Sequence, residues 1–269
     1  MIEKMIQNNL LLPVDFSKIP NYKNCSKKWI ELLKDIKGDQ YAVPYMSGSV
    51  GILYNKTLLD EKGLPYPEKW ADLWNPCYEG EILMQNSVRD SMMVALKKNG
   101  FSMNSKSDKE LEIAIYDLLE QKPLVQAYVV DQVRDKMIAG EAMVALLYSG
   151  EVIYISDESS NYEYRYVMPE EGTNVWLDGW VISKNSQNVE NAHKWLDFMC
   201  RPDVAKKNAE FITYESTNDE ALKIIDDEYK LNDKIVINNS SDEKNELYHY
   251  LGDEVDEMYN EKWKRLKAE

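Results

Sequence analysis

Of 269 residues only three are cysteine (Cys25, Cys77, Cys200) and two are histidine (His193, His249). An odd number of widely separated cysteines with no Cys-x-x-Cys pair gives no disulfide framework. So few histidines leave a Cys/His zinc site without ligands, and no metal or cofactor is expected. Positive charge is scarce too: 32 Lys and Arg stand against 47 Asp and Glu, a net charge of −15. Phosphate backbones need clustered basic residues, so nucleic acid is not expected as a partner. The balance suits a cationic ligand, although acidity by itself mostly confers solubility. No apolar run approaches the roughly 18–20 residues that span a membrane. The start, Met1-Ile2-Glu3-Lys4-Met5-Ile6-Gln7, lacks the basic leader and apolar stretch of a signal peptide, and Leu10-Leu11-Leu12 is too short to supply one.

Phosphate-cradling glycine loops and a Gly-x-Ser-x-Gly elbow are missing as well. Carboxylate pairs abound, but none stands in a recognisable acid–base setting, so no catalysis is expected. Phenylalanine is sparse, with 4 against 18 Tyr and 7 Trp. Tyr and Trp join an apolar body to a polar tip and suit wet, ligand-facing surfaces.

What is present reads as α/β. Met1, Ile2, Met5 and Ile6 recur at helical spacing, so the chain opens on an amphipathic helix. Ser47 to Asn55 reads as a strand entered through small residues, where Gly48 and Gly51 either admit a ligand or another strand or mark a bulge. Prolines confine Pro65 to Gly80 to a short helical turn. Strands at Glu81–Met84, Leu124–Val129 and Ala142–Tyr148 alternate with helices at Asp90–Asn99, Asp131–Ala139 and behind the capping box Ser107-Asp108-Lys109-Glu110. That alternation predicts largely parallel pairing. Helices follow at Val189–Cys200, Asp203–Ile212 and Asn218–Asp227, with a helical tail over Asp242–Lys267. No linker interrupts the chain, so two lobes would be joined through strands.

Tyr164–Met168 reads as one strand; a turn of Pro, acids and Gly leads to a second. Between them stand Trp176 and Asp178, two positions apart and on one side of an extended backbone. An indole face beside a carboxylate cradles an organic cation, the ring contributing roughly 0.5–2 kcal/mol and the carboxylate a charge-assisted hydrogen bond. The same residues also describe a buried strand whose Trp fills a core.

Three pieces together resemble the spermidine/putrescine-binding proteins of bacterial polyamine ABC importers: Trp70-Ala-Asp72-Leu73-Trp74-Asn-Pro76-Cys-Tyr78-Glu-Gly80, Trp176-Leu177-Asp178, and Arg201-Pro202-Asp203-Val204-Ala205 followed by Tyr214. The resemblance implies a two-lobed α/β solute-binding fold closing on a linear polyamine. It implies lobe 1 from 1–48 and 179–213, and lobe 2 from 49–178 and 214–269. It further implies an extracytoplasmic monomer that docks on permease subunits. Trp176 would stack on the methylene chain, Asp178 and Asp90 would each take an ammonium, and Tyr148 would wall the site. Tyr214, Tyr248, Ser47 and Ser87 would also face the ligand. Ser87 stands where the family has Asp, Ser47 lies where many members carry Trp, and Glu215 replaces a Pro after Tyr214. Met1 falls just after the family's first β-α-β segment, so the first lobe is expected to be incomplete, as in a truncated product, a misplaced start or a fragment. The alternatives are a same-fold protein for another small cation or amine, and a remnant that binds nothing.

Overall fold

The computed structural model describes residues 1–230 and 235–268. The chain divides into two compact units, Met1–Gly48 with Trp176–Lys230 and Ser49–Val175 with Leu231–Glu269. The first division lies inside a strand, between Gly48 and Ser49. The others fall between Val175 and Trp176 and after Lys230. Residues up to Lys230 belong to the first unit because residues 215–216 add a strand to it, and Leu222, Ile225 and Tyr229 pack there around Met46.

The first unit holds helix α1 (Ile2–Gln7), strand β1 (Leu11–Leu12), α2 (Lys27–Asp35) and the first part of β2 (Ala42–Asn55). It continues with β7 (Val175–Ser183), α8 (Val189–Met199), α9 (Pro202–Ile212), β8 (Glu215–Ser216) and α10 (Asp219–Leu222). β7 lies between β1 and β2, and β8 pairs antiparallel with β2 through Met46↔Ser216 and Ser47↔Glu215. Its core gathers Ile19, Val43, Ile182 and Leu196. α9 begins as the sequence dictates, with Pro202 at its first turn and Arg201 folded onto Asp203 at 2.8 and 3.1 Å.

The second unit contains the end of β2, α3 (Lys56–Lys62), β3 (Ile82–Gln85), α4 (Val88–Lys98), α5 (Asp108–Gln121), β4 (Val125–Val129) and α6 (Gln132–Ile138). Then come β5 (Val144–Tyr148), α7 (Glu151–Glu158), β6 (Tyr164–Met168), β9 (Val236–Asn238) and α11 (Asp253–Ala268). Its sheet runs β9-β6-β2-β5-β3-β4. Parallel pairing is found where it was expected, between β3 and its neighbours β4 and β5, and also between β6 and β9, but β2 is antiparallel to both of its neighbours in this sheet. β2 arrives from the other unit and not through a helical crossover, so nothing forces it to share the direction of the crossover strands.

Both faces of this sheet are covered, and the period of two shows it. Ile52, Tyr54, Ile82, Met84, Val144 and Leu146 face α4 and α5, while Leu53, Leu83, Ala145 and Leu147 face α6 and α7. Each fully buried large side chain contributes roughly 1.5–3 kcal/mol. Gly51 is where β6 comes close: a Cβ there would lie 2.4 Å from the Tyr166 ring and 2.5 Å from the Val167 carbonyl. The small residue therefore admits a strand.

The proline-bounded segment forms two 3-10 turns, Trp70–Trp74 and Pro76–Tyr78. Both indoles donate to carbonyls, Trp70 to Gly172 and Trp74 to Asp117, each at 2.8 Å. The tail helix starts at Asp253, not at Asp242. Residues 242–244 form a turn, and Glu246 then bridges Asn174 and donates its N–H to the Thr173 carbonyl, which keeps the following residues out of a helix. α7 has no counterpart in the sequence reading, and α10 is shorter than the predicted Asn218–Asp227 helix. No helix among the described residues is long and apolar enough to cross a membrane.

Candidate functional site

The expected site residues form two sets, one in each unit. In the second unit α4 opens at Ser87, whose hydroxyl caps the helix by accepting the Asp90 N–H at 3.4 Å. With the cap supplied by serine, the Asp90 carboxylate is left to other partners. It is 4% exposed and accepts from the Tyr148 hydroxyl at 2.7 Å and the Tyr248 hydroxyl at 3.0 Å. The helix N-terminus favours its negative charge. Burial, then the Asp90 charge, holds the Tyr248 phenol well above its usual range, so it remains a donor. A carboxylate offers about four acceptor positions, so two phenols leave capacity for an ammonium.

Arg89 is an addition that the sequence reading lacks. Its guanidinium lies 4.6 Å over the Tyr248 ring and donates to the carbonyls of Met103 and His249 and to Asn104 Oδ1. Residue 89 thus fixes the extended tail that carries Tyr248. Its position beside Asp90 is the one local signal for it.

In the first unit Trp176 and Asp178 lie within β7, and not before it as the sequence suggests. Trp176 is half-buried, edge-on to Tyr214 with ring centres 5.0 Å apart, and packs on the Met46 cluster. It therefore serves packing while keeping part of its surface open. Trp180 continues the same strand face and meets Tyr45 at 4.7 Å. The W-x-D-x-W spacing carries that signal, because a period of two puts all three side chains on one side. Burial, then the Asp178 charge, raises the Tyr45 phenol.

Ser47 is fully buried with no hydrogen-bond partner for its hydroxyl among the described residues. Across the ladder from it stands Glu215, the residue that replaces a family proline. Asp178 and Glu215 are solvent-accessible, yet surrounding protein desolvates both and raises their carboxyls; Lys28 opposes the shift at Glu215. The first unit thus presents two carboxylates among Tyr and Trp rings. The second presents one buried carboxylate clamped by phenols. Each arrangement suits an alkylammonium, with charge for the nitrogen and rings for the methylenes.

A raised carboxyl keeps its proton above the pH at which the unfolded chain releases it. Between the ordinary carboxylate value near 4 and the raised value, the native state binds more protons, so these two groups lower stability as pH rises. Cation binding has the opposite sign, because only the ionised carboxylate pairs with ammonium. Affinity for an alkylammonium is therefore expected to climb through that window, by up to about tenfold per pH unit per titrating group, and then level off. Calorimetry in buffers of different ionisation heat should register proton release on binding. Asp178→Asn and Glu215→Gln should each flatten the slope; an unchanged slope in both would remove these carboxyls from the site.

Known proteins resemble the chain in sequence and fold. The profile of the bacterial extracellular solute-binding proteins matches residues 1–233. The spermidine/putrescine-binding periplasmic protein of Escherichia coli K12 is 31% identical over 267 residues, covering 99% of this chain and 75% of that protein. The norspermidine sensor of Vibrio cholerae is 27% identical over 220 residues, 80% of this chain and 59% of that protein. The solved spermidine/putrescine ABC transporter substrate-binding protein of Streptococcus pneumoniae superposes with a TM-score of 0.84 at 30% identity, covering 100% of this chain and 81% of that one.

Proposed function

The chain belongs to the bacterial extracellular solute-binding protein family, and from that premise we propose that it is the substrate-binding component of an ABC importer for polyamines, spermidine or putrescine. The observation that carries the reading is the Asp90 carboxylate, buried and held by Tyr148 and Tyr248. In this reading Asp90 takes one ammonium and Asp178 another, with Trp176 and Tyr214 along the methylene chain. Ser87 acts through its cap on Asp90, and Tyr45 and Glu215 complete the first unit's set. The ligand is captured and handed to permease subunits, with no covalent step and no enzymatic turnover. The chain works as a monomer.

A different amine is the second reading, favoured by one pair of residues. Ser87 removes an acid from the second unit's set, while Glu215 adds one to the first. Charge has moved from one set to the other, which alters the spacing of ammonium groups that fits best.

Thermal unfolding tests both. A ligand that binds only the native state at a hundred times its Kd adds about 2.7 kcal/mol. For a chain of this size that raises the midpoint by roughly 5–10 °C. Spermidine or putrescine should produce such a shift. A shift with norspermidine or agmatine alone would select the second reading, and a folded protein unmoved by every amine would sink both.

A further inference from the structure

Cysteines carry no framework in the sequence, yet the fold brings two of them into contact. Cys25 closes the 3-10 turn Pro20–Asn24, and Cys200 closes α8. Their Sγ atoms lie 3.8 Å apart, both buried in the apolar core of the first unit. The surrounding backbone is pinned. The Cys200 carbonyl accepts from Asn24 Nδ2 at 3.2 Å and Asn218 Nδ2 at 2.8 Å, and Asn218 forms an antiparallel bridge with Cys25. Contact with the Cys200 thiol, then burial, holds the Cys25 thiol far above its usual range. A thiol so disposed makes a poor nucleophile or metal ligand in the folded state. Cys77 lies in the other unit.

We propose that Cys25 and Cys200 are joined by a disulfide in the mature protein, cross-linking the segments 1–48 and 176–230 that together make the first unit. The pair is already in van der Waals contact, with the sulfurs 3.8 Å apart against about 2.05 Å in a disulfide. An extracellular protein folds where small disulfides and thiol oxidases are available. With oxidised glutathione as oxidant, one cysteine thiolate attacks its disulfide and releases one glutathione thiolate. The second cysteine sulfur then displaces the other glutathione from the mixed disulfide. Two protein thiols and one small disulfide become one protein disulfide and two small thiols, which carry away the two protons. Because the native thiols are buried, the bond forms during folding.

The test refolds the reduced, denatured Cys77→Ser chain in oxidised and reduced glutathione and maps unreduced peptides by mass spectrometry. The expected result is a linked pair containing Cys25 and Cys200, two hydrogens lighter than the free peptides and lost on reduction. The unfolding midpoint should drop by several degrees when dithiothreitol is present, and Cys25→Ser should abolish that dependence. A natively folded chain whose Cys25 and Cys200 remain fully alkylatable after denaturation, or carry only glutathione, would overturn the proposal. If Cys25→Ser does not fold, peptide mapping of the parent chain decides alone. Neither readout needs a ligand, so the result stands apart from the polyamine reading.

Discussion

Asp90→Asn is expected to weaken polyamine binding by roughly 30- to 1000-fold, about 2–4 kcal/mol, while leaving the fold in place. The amide is nearly the same shape as the carboxylate and keeps an oxygen for the Tyr148 hydroxyl, now 2.7 Å away. The Tyr248 hydroxyl can turn to accept from the new NH2 group. What disappears is the charge. An ammonium brought to a 4% exposed position has no water there to replace its ion partner, so the loss approaches that of breaking a buried, hydrogen-bonded pair. Calorimetric titration of spermidine and putrescine, with the midpoint of the ligand-free variant measured beside it, gives the answer. A large fall in affinity at an unchanged midpoint is expected. Unchanged affinity with a lowered midpoint would make Asp90 a structural anchor for two tyrosines and remove it from the site.

Trp70→Ala is expected to cost about 3–5 kcal/mol of stability and lower the midpoint by roughly 8–15 °C. Trp70 is fully buried in the second unit's main core, so the substitution leaves a large cavity among Tyr54, Leu73 and their neighbours. It also removes the indole N–H that the Gly172 carbonyl accepts at 2.8 Å. Gly172 has φ +87, and a Cβ there would lie 2.1 Å from the Lys244 carbonyl, so this turn has little freedom to shift and heal the gap. Thermal or urea unfolding measures the effect, and Trp70→Phe should recover most of the packing but not the hydrogen bond. A loss below about 1 kcal/mol for the alanine variant would mean that the core collapses around the site. The substitution links two of the pieces that carry the family resemblance. The Trp70 segment supports the turn at Gly172, after which β7 begins at Val175 and carries Trp176.

Several features are legible in the sequence because their causes lie close together in the chain. Ser107 capping Glu110, Pro202 opening α9 and the prolines bounding the 70–78 turns act within a few residues of themselves. The W-x-D pattern of Trp176 and Asp178 fixes a shared side once the stretch is a strand. The scarcity of basic residues, cysteine and histidine is what sets the expectation against nucleic acid and a Cys/His zinc site.

Tertiary packing governs the rest. Glu151–Glu158, rich in β-branched residues, is a helix because Val152 and Ile155 find a core beside Val133 and Met137. Residues 242–244 form a turn, and the stretch after it stays non-helical because Asn174 and Asp90 hold it at Glu246 and Tyr248. Nothing local reveals that Asp90 receives hydroxyls from positions 58 and 158 residues away, that Glu215 stands opposite Ser47, or that Cys25 touches Cys200. Composition and periodicity suffice for the α/β class and the types of side chain available to a cation, and the family comes from the resemblance of three motifs to known proteins. Which of those side chains meet depends on contacts between segments distant in the chain, and local propensity and spacing contain no information about such pairings until the chain has folded.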